Sequence, residues 1–181
     1  MEFHIGVAVD VLRRGGVVAH ATEAVWGLAC DPYDEAAVLR VLELKQRPVA
    51  KGLILIGATP AMFERELASV NAATRARVVD SWPGPETWLL PNCEFPVWIT
   101  GGSDAVAVRV PGHAQARRLC TRFDAPLVST SANASGRAPA RTALTVRRYF
   151  GNRVDYVLPG RVGDRTNPSR IRDAMSGRQL R

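Results

Sequence analysis

Lysine is nearly absent from this chain: of 24 basic residues only Lys45 and Lys51 are lysines, and they fall within one seven-residue window. Long apolar runs are absent too. No stretch approaches the ~20 apolar residues of a membrane-spanning helix, and the opening MEFHIGVAVDVLRRGG has no signal-peptide layout. A soluble cytoplasmic protein is the expectation. The three cysteines, Cys30, Cys93 and Cys120, are odd in number, widely spaced and form no Cys-x-x-Cys pair. That argues against a disulfide framework and a zinc site, and predicts reduced thiols in or near the core. No internal repeat or low-complexity linker is present.

What remains is 181 residues, 46% of them apolar, enough for one well-buried core and, by default, one domain over residues 1–181. The net charge of +7 is unevenly spread. Residues 137–181 carry 11 arginines against 3 acids, net +8, whereas residues 1–136 carry 13 basic and 14 acidic residues, net −1. This asymmetry predicts a polyanionic substrate or partner near a surface fed by the C-terminal third.

Apolar spacing of Ile5, Val9 and Leu12 predicts a first helix over residues 4–14, ending at Gly15-Gly16. A strand follows over Val17–Thr22, delivering Thr22 and Glu23 into a loop. Asp34 is placed to cap a helix that turns Val38, Val41 and Leu42 inward and stops before Pro48. The unalternated LILI, Leu53–Ile56, reads as a strand buried on both faces, and Thr59-Pro60 as the opening of another helix. Trp82-Pro83-Gly84-Pro85 is a rigid turn into a strand over Thr87–Leu90, and residues 91–104 form a loop. Ala105–Val110 is a strand, with Arg109 facing away from Val108 and Val110. A helix over His113–Phe123, a strand over Pro126–Ser131, a Thr142-capped helix through Phe150, a last strand VDYVL and an Arg-rich tail complete the chain. Alternating strands and helices imply an α/β domain with one twisted, mixed or largely parallel sheet and flanking helices.

Two stretches could carry chemistry. In LELKQRPVAKGLILI, Leu42–Ile56, Pro48 biases Arg47 away from helical geometry, so Arg47–Gly52 should be a loop displaying charge. Lysine offers a compact, three-donor charge suited to a phosphate oxygen, and Arg47 adds a planar fork. The same cations also fit a solvated helix end stabilised by its dipole; these residues alone leave both readings open. LVSTSANASG, Leu127–Gly136, follows an apolar strand with Ser129, Thr130, Ser131, Asn133 and Ser135. It can present hydroxyls, an amide and backbone N–H groups to an anion, or serve as a polar turn. Period two places Ser129, Ser131 and Asn133 on one side while the strand lasts.

Six blocks together resemble the YrdC/Sua5 family of threonylcarbamoyl-AMP synthases: ATEAVWGLACDP (21–32), LKQRPVAKGLILI (44–56), WPGPETWLLP (82–91), AVRVPGH (107–113), PLVSTSANASG (126–136) and NPSRIRD (167–173). The chain looks like the short bacterial form, with no room for the extra C-terminal domain of longer members. The resemblance implies a basic concave cavity in that α/β domain, and a nucleotidyltransferase that converts L-threonine, bicarbonate or CO2, and ATP to threonylcarbamoyl-adenylate and diphosphate. The product would pass to a downstream threonylcarbamoyl-transferase complex for tRNA modification. It further implies that Lys45, Arg47 and Lys51 are catalytic and, with Ser131 and Asn133, bind ATP, with Mg²⁺ neutralising the remaining phosphate charge and no metal ligand assigned to the protein. Thr22, Arg109, Ser129 and Ser169 would bind threonine. Glu23 is the one acid in these blocks to consider as a base or magnesium ligand, a solvated or capping carboxylate being the simpler role. Two positions depart from the family pattern. Ala21 stands where a proline often precedes the Thr, and Ile56 stands where longer members carry a His.

A second reading makes the basic region a double-stranded RNA-binding or ribosome-maturation module. Its aromatics are only Tyr149, Phe150 and Tyr156, so base stacking is poorly supplied and binding would be nonspecific and salt-sensitive. A third keeps the fold in a hydrogenase-maturing carbamoyltransferase; this chain lacks the acylphosphatase-like and zinc-finger segments that such proteins append.

Overall fold

Helix α1, Glu2–Arg13, buries Ile5, Ala8, Val9 and Leu12 on one face. That face packs on α6, Ala114–Phe123, which contributes Ala116, Leu119 and Cys120 to the same apolar cluster. The computed structural model describes residues 2–167 and 169–180, so all of the expected sites lie within it; Pro168 of the NPSRIRD block lies outside the described residues. Helix α2, Glu35–Lys45, starts as expected, with Asp34 Oδ1 accepting the Ala37 N–H at 3.0 Å. It ends at Gln46, which takes a left-handed conformation (φ 50°) before Pro48 turns the chain extended. Asp34→Ala should therefore cost about 1 kcal/mol, lowering the melting temperature by about 2–4 °C. Thermal denaturation followed by circular dichroism checks this.

The strands form two mixed sheets where one was expected. In the first the order is β7 (Thr130–Ser131), β2 (Trp26–Ala29), β1 (Val18–Ala21), β8 (Tyr156–Val157). In the second it is β6 (Leu127–Val128), β3 (Ile54–Ile56), β5 (Ala105–Arg109), β4 (Glu86–Pro91), β9 (Arg170–Asp173). Both sheets combine parallel pairs (β1 with β8, β3 with β5, β4 with β9) with antiparallel ones, so they are mixed and not largely parallel.

Several expectations change for local reasons. The strand expected over Val17–Thr22 is shorter, Val18–Ala21, and the chain turns straight back through residues 22–25 into β2 as an antiparallel hairpin. Leu53–Ile56 meets core on both faces, as expected: Leu55 joins the larger apolar cluster and Ile56 the one under α1 and α6, while Ile54 is only partly buried beside a cavity. Thr59-Pro60 opens a 3-10 turn, Pro60–Phe63, without a side-chain cap, and only then the short helix α3, Glu64–Ala68. Helix α4, Ala72–Asp80, capped by Asn71, and the one-turn helix α5, Val97–Thr100, were not expected. The last helix, α7, Ala143–Phe150, has its Thr142 cap. VDYVL contributes only the two-residue β8. The C-terminal tail is not irregular throughout, because β9 adds to the second sheet and both Arg170 and Arg172 pair with the buried Glu86. Cys30 and Cys120 are core thiols, as expected; Cys93 is exposed.

The expected Pro126–Ser131 strand is divided between the sheets: β6 belongs to the second, β7 to the first, and Ser129 is the crossing residue. Its N–H donates to Ile54 O at 2.8 Å on one side. Its hydroxyl reaches the other. This division opens a cavity between the sheets.

Candidate active site

The cavity encloses about 830 Å³, within the size range of small-molecule sites. Its floor is hollowed by residue size. Along β5 the alternate positions Ala105 and Ala107 face it, while Val106 and Val108 are buried beneath, so two methyl groups occupy ground that larger side chains would fill. Arg109 continues the cavity-facing row, opposite Ile56 in the adjacent strand. The roof comes from the 22–27 hairpin and from residues 165–167 and Ser169, held there because the N–H groups of Gly163 and Arg165 donate to the carbonyls of Thr22 and Glu23 at 3.0 and 3.2 Å.

Of the expected site residues, Thr22, Arg47, Lys51, Arg109, Ser129, Ser131 and Ser169 line this cavity together. Lys45 and Asn133 are not on its wall; they build the loop behind it. The buried Lys45 ammonium donates to Ser131 O and, at 3.0 Å, to Asn133 O, while Lys45 O accepts the Ser135 N–H at 2.8 Å. Asn133 Nδ2 closes the same loop onto Ala134 O and Arg137 O at 3.1 and 2.7 Å. Burial, with Arg47 nearby, pushes the Lys45 ammonium down to about 8.

The cationic loop is more structured than its sequence suggested. Val49–Lys51 is a 3-10 turn, and Arg47 Nη2 donates to Lys51 O and Gly52 O at 2.9 and 3.0 Å, bracing the loop against itself. Gly52 sits at φ +57°, where a Cβ would also meet the carbonyl oxygens of Thr100 and Ile99 at 3.2 and 3.3 Å. Lys51 is exposed at the cavity.

Arg109 and Glu23 form an ion pair, both side chains nearly buried at 11% and 13% exposure. Arg109 Nε also donates to Gly84 O at 2.9 Å, and Glu23 Oε1 accepts the Gly112 N–H at 2.7 Å. Burial pulls the Arg109 guanidinium below its usual value, with Glu23 opposing that shift. Glu23 is therefore neither a solvated nor a capping carboxylate. It is the counter-ion of Arg109. Ser169 accepts a hydrogen bond from Thr87 at 3.0 Å.

Two residues of the site were missed altogether: Arg141, on the cavity wall, and a histidine behind it. His20, in the middle of β1 and fully buried, places Nε2 3.1 Å from Ser129 Oγ and Nδ1 3.2 Å from Ala21 O. Burial pushes its pKa down to about 4, so the ring is neutral at physiological pH. The available signal was a lone imidazole in an otherwise apolar strand.

Residues 10–181 match the Sua5/YciO/YrdC family model, described as "Telomere recombination". The chain belongs to this family. Among its relatives, a threonylcarbamoyl-AMP synthase of Stutzerimonas stutzeri is 52% identical over 99% of this chain and 97% of its own length. One of Halorhodospira halophila is 51% identical over 99% and 94%. Among solved structures, P. abyssi Sua5 complexed with L-threonine superposes with a TM-score of 0.89 at 34% identity, covering 96% of this chain. The chain spans about half the length of that Sua5, 51%. As a member of the Sua5/YciO/YrdC family it carries the expected α/β fold with mixed sheets, and among the described residues no helix is long and apolar enough to cross a membrane.

Proposed function

We propose that this chain is an ATP-dependent L-threonylcarbamoyladenylate synthase, a nucleotidyltransferase acting in the cytoplasm as one domain over residues 1–181. The observation that carries this is the charge of the cavity wall. Among the described residues, Arg47, Lys51, Arg109, Arg141 and Arg165 line it against one carboxylate, Glu23, which Arg109 already engages. Such a wall suits a triphosphate beside an amino acid. Threonine and bicarbonate supply an N-carboxylated threonine whose oxygen attacks the α-phosphorus of ATP; the new P–O bond forms as the bond to diphosphate breaks. Charge repulsion and alignment limit this step more than proton transfer does. In this reading Lys51, Arg47 and Ser131 face the phosphates, with Lys45 and Asn133 holding the Ser131 loop beneath them. Thr22, Ser129, Arg109 and Ser169 surround the threonine.

Magnesium does not fit a protein-held site here. Among the described residues no three His, Cys, Asp or Glu side chains gather, and the cavity's carboxylate gives Oε1 to Arg109 and Gly112, leaving Oε2 as a single buried oxygen, too few ligands to hold the ion. Any Mg²⁺ would be held by ATP itself, and no step is assigned to it. The downstream consumer would be a threonylcarbamoyl-transferase acting on tRNA.

Diphosphate release from ATP should require L-threonine and bicarbonate together and fall to background when either is withheld. Release indifferent to threonine would sink the proposal. Salt-dependent binding of double-stranded RNA without that release would put the RNA-binding reading in its place.

A further inference from the structure

The hydrogen bonds behind Ser129 fix which way its hydroxyl proton points. Ala21 O can only accept, so His20 Nδ1, 3.2 Å away, carries the ring proton and Nε2 is left as a lone pair. Ser129 Oγ, 3.1 Å from that lone pair, must then be the donor. Its single proton is spent inward, and toward the cavity it offers lone pairs alone. Thr22 is in the same condition, since its Oγ1 donates to Val25 O at 2.7 Å. Ser131 contrasts with both. It lies at the outer limit of acceptance from the Lys45 ammonium, 3.5 Å, so its proton is not demanded by that partner.

From this we infer that His20 is a positioning residue that makes Ser129 an acceptor, and that Ser129 and Thr22 together select a ligand group bearing N–H or O–H. On the synthase reading, on which the ligand assignment rests, that group is the amine or hydroxyl of threonine and not a phosphate. The neutral ring required by this arrangement agrees with its burial. Gly27, paired with His20 across the hairpin, keeps the line open: a Cβ there would lie 3.1 Å from both His20 Nε2 and Ser129 Oγ.

The tautomer is directly measurable. The chain has three histidines, so His4→Gln with His113→Gln leaves His20 as the sole source of signal in a protein labelled with ¹⁵N-histidine. Long-range ¹H–¹⁵N correlation should show a protonated Nδ1 and a bare Nε2. Calorimetry then reads the ligand side. Ser129→Ala should weaken L-threonine about tenfold, the loss of one hydrogen bond, while ATP affinity stays within about twofold. His20→Phe should do the same, and the double variant should lose little more than either single one. Gly27→Ala, which touches neither partner chemically, should reproduce the threonine defect. A protonated Nε2 overturns the role of His20 and leaves the synthase reading standing, as does Ser129→Ala weakening ATP in place of threonine. Failure of the unaltered protein to bind L-threonine at all overturns the synthase reading and the ligand assigned here with it.

Discussion

Lys51→Ala will lower threonine-dependent diphosphate release by roughly two to three orders of magnitude, the usual cost of removing one aimed donor from a site that stabilises developing negative charge. It will leave the melting temperature within about 2 °C of the unaltered protein. The two effects separate because Lys51 is exposed at the cavity on a turn already braced by Arg47. Lys45→Ala is expected to differ in kind. Its ammonium is buried and bound to the carbonyls of Ser131 and Asn133. Removing it takes this donor from Asn133 O and leaves Ser131 O with the Asn133 N–H at 2.9 Å, a loss of about 1–3 kcal/mol, so stability and activity should fall together. A pH dependence marks the same residue. The folded-state pKa of about 8 lies below the ordinary lysine value of 10.5. Between these the unfolded chain binds more protons, so the contribution of this site to stability rises as pH increases through that window. In Lys45→Met that rise should disappear. Urea unfolding from pH 7 to 10, alongside initial rates, tests both; equal melting temperatures for Lys45→Ala and Lys51→Ala would refute the distinction.

Much of this was legible in the sequence because local rules act over few residues. Asp34 before an amphipathic run, Pro48 after it, and a row of Ala and Arg alternating with Val in β5 each specify an element from within about ten positions. The NPSRIRD block shows where local rules stop. Arg170 and Arg172 look like solvated tail charges until β9 lies beside β4 and both find Glu86, a partner 84 and 86 residues away in the chain. Lys45 shows the same limit. Its isolation as one of two lysines marked it correctly as unusual, but spacing could not say that helix α2 would aim it into the back of the 131–137 loop and not at the cavity. The splitting of Pro126–Ser131 between two sheets was equally hidden, since both halves are individually good strands and only the approach of Ile54 on one side and Trp26–Leu28 on the other divides them. Composition identified a basic site. Topology decided which cations face it.

Glu23→Ala is expected to destabilise the fold by about 3–5 kcal/mol, the range for removing one partner of a buried ion pair, and to lower the melting temperature by roughly 10 °C. The cost arises from what is left behind. Arg109 would remain nearly buried with a full charge and, among the described residues, only Gly84 O to accept from it, and the Gly112 N–H would lose its acceptor. Glu23→Gln should cost less, because an amide oxygen can still take the Gly112 N–H and one guanidinium N–H. Glu23→Ala with Arg109→Met should recover part of the loss, since no unpaired charge is then buried, giving a coupling energy that a double-mutant cycle reads directly. Activity should follow a different order. If Arg109 meets the carboxylate of threonine, the stabilised double variant will still bind threonine poorly, whereas Glu23→Gln, which keeps the guanidinium in place, will retain most of its affinity. Were Glu23→Ala to lose threonine-dependent turnover with its melting temperature unchanged, the carboxylate would be acting on the substrate itself and not through Arg109.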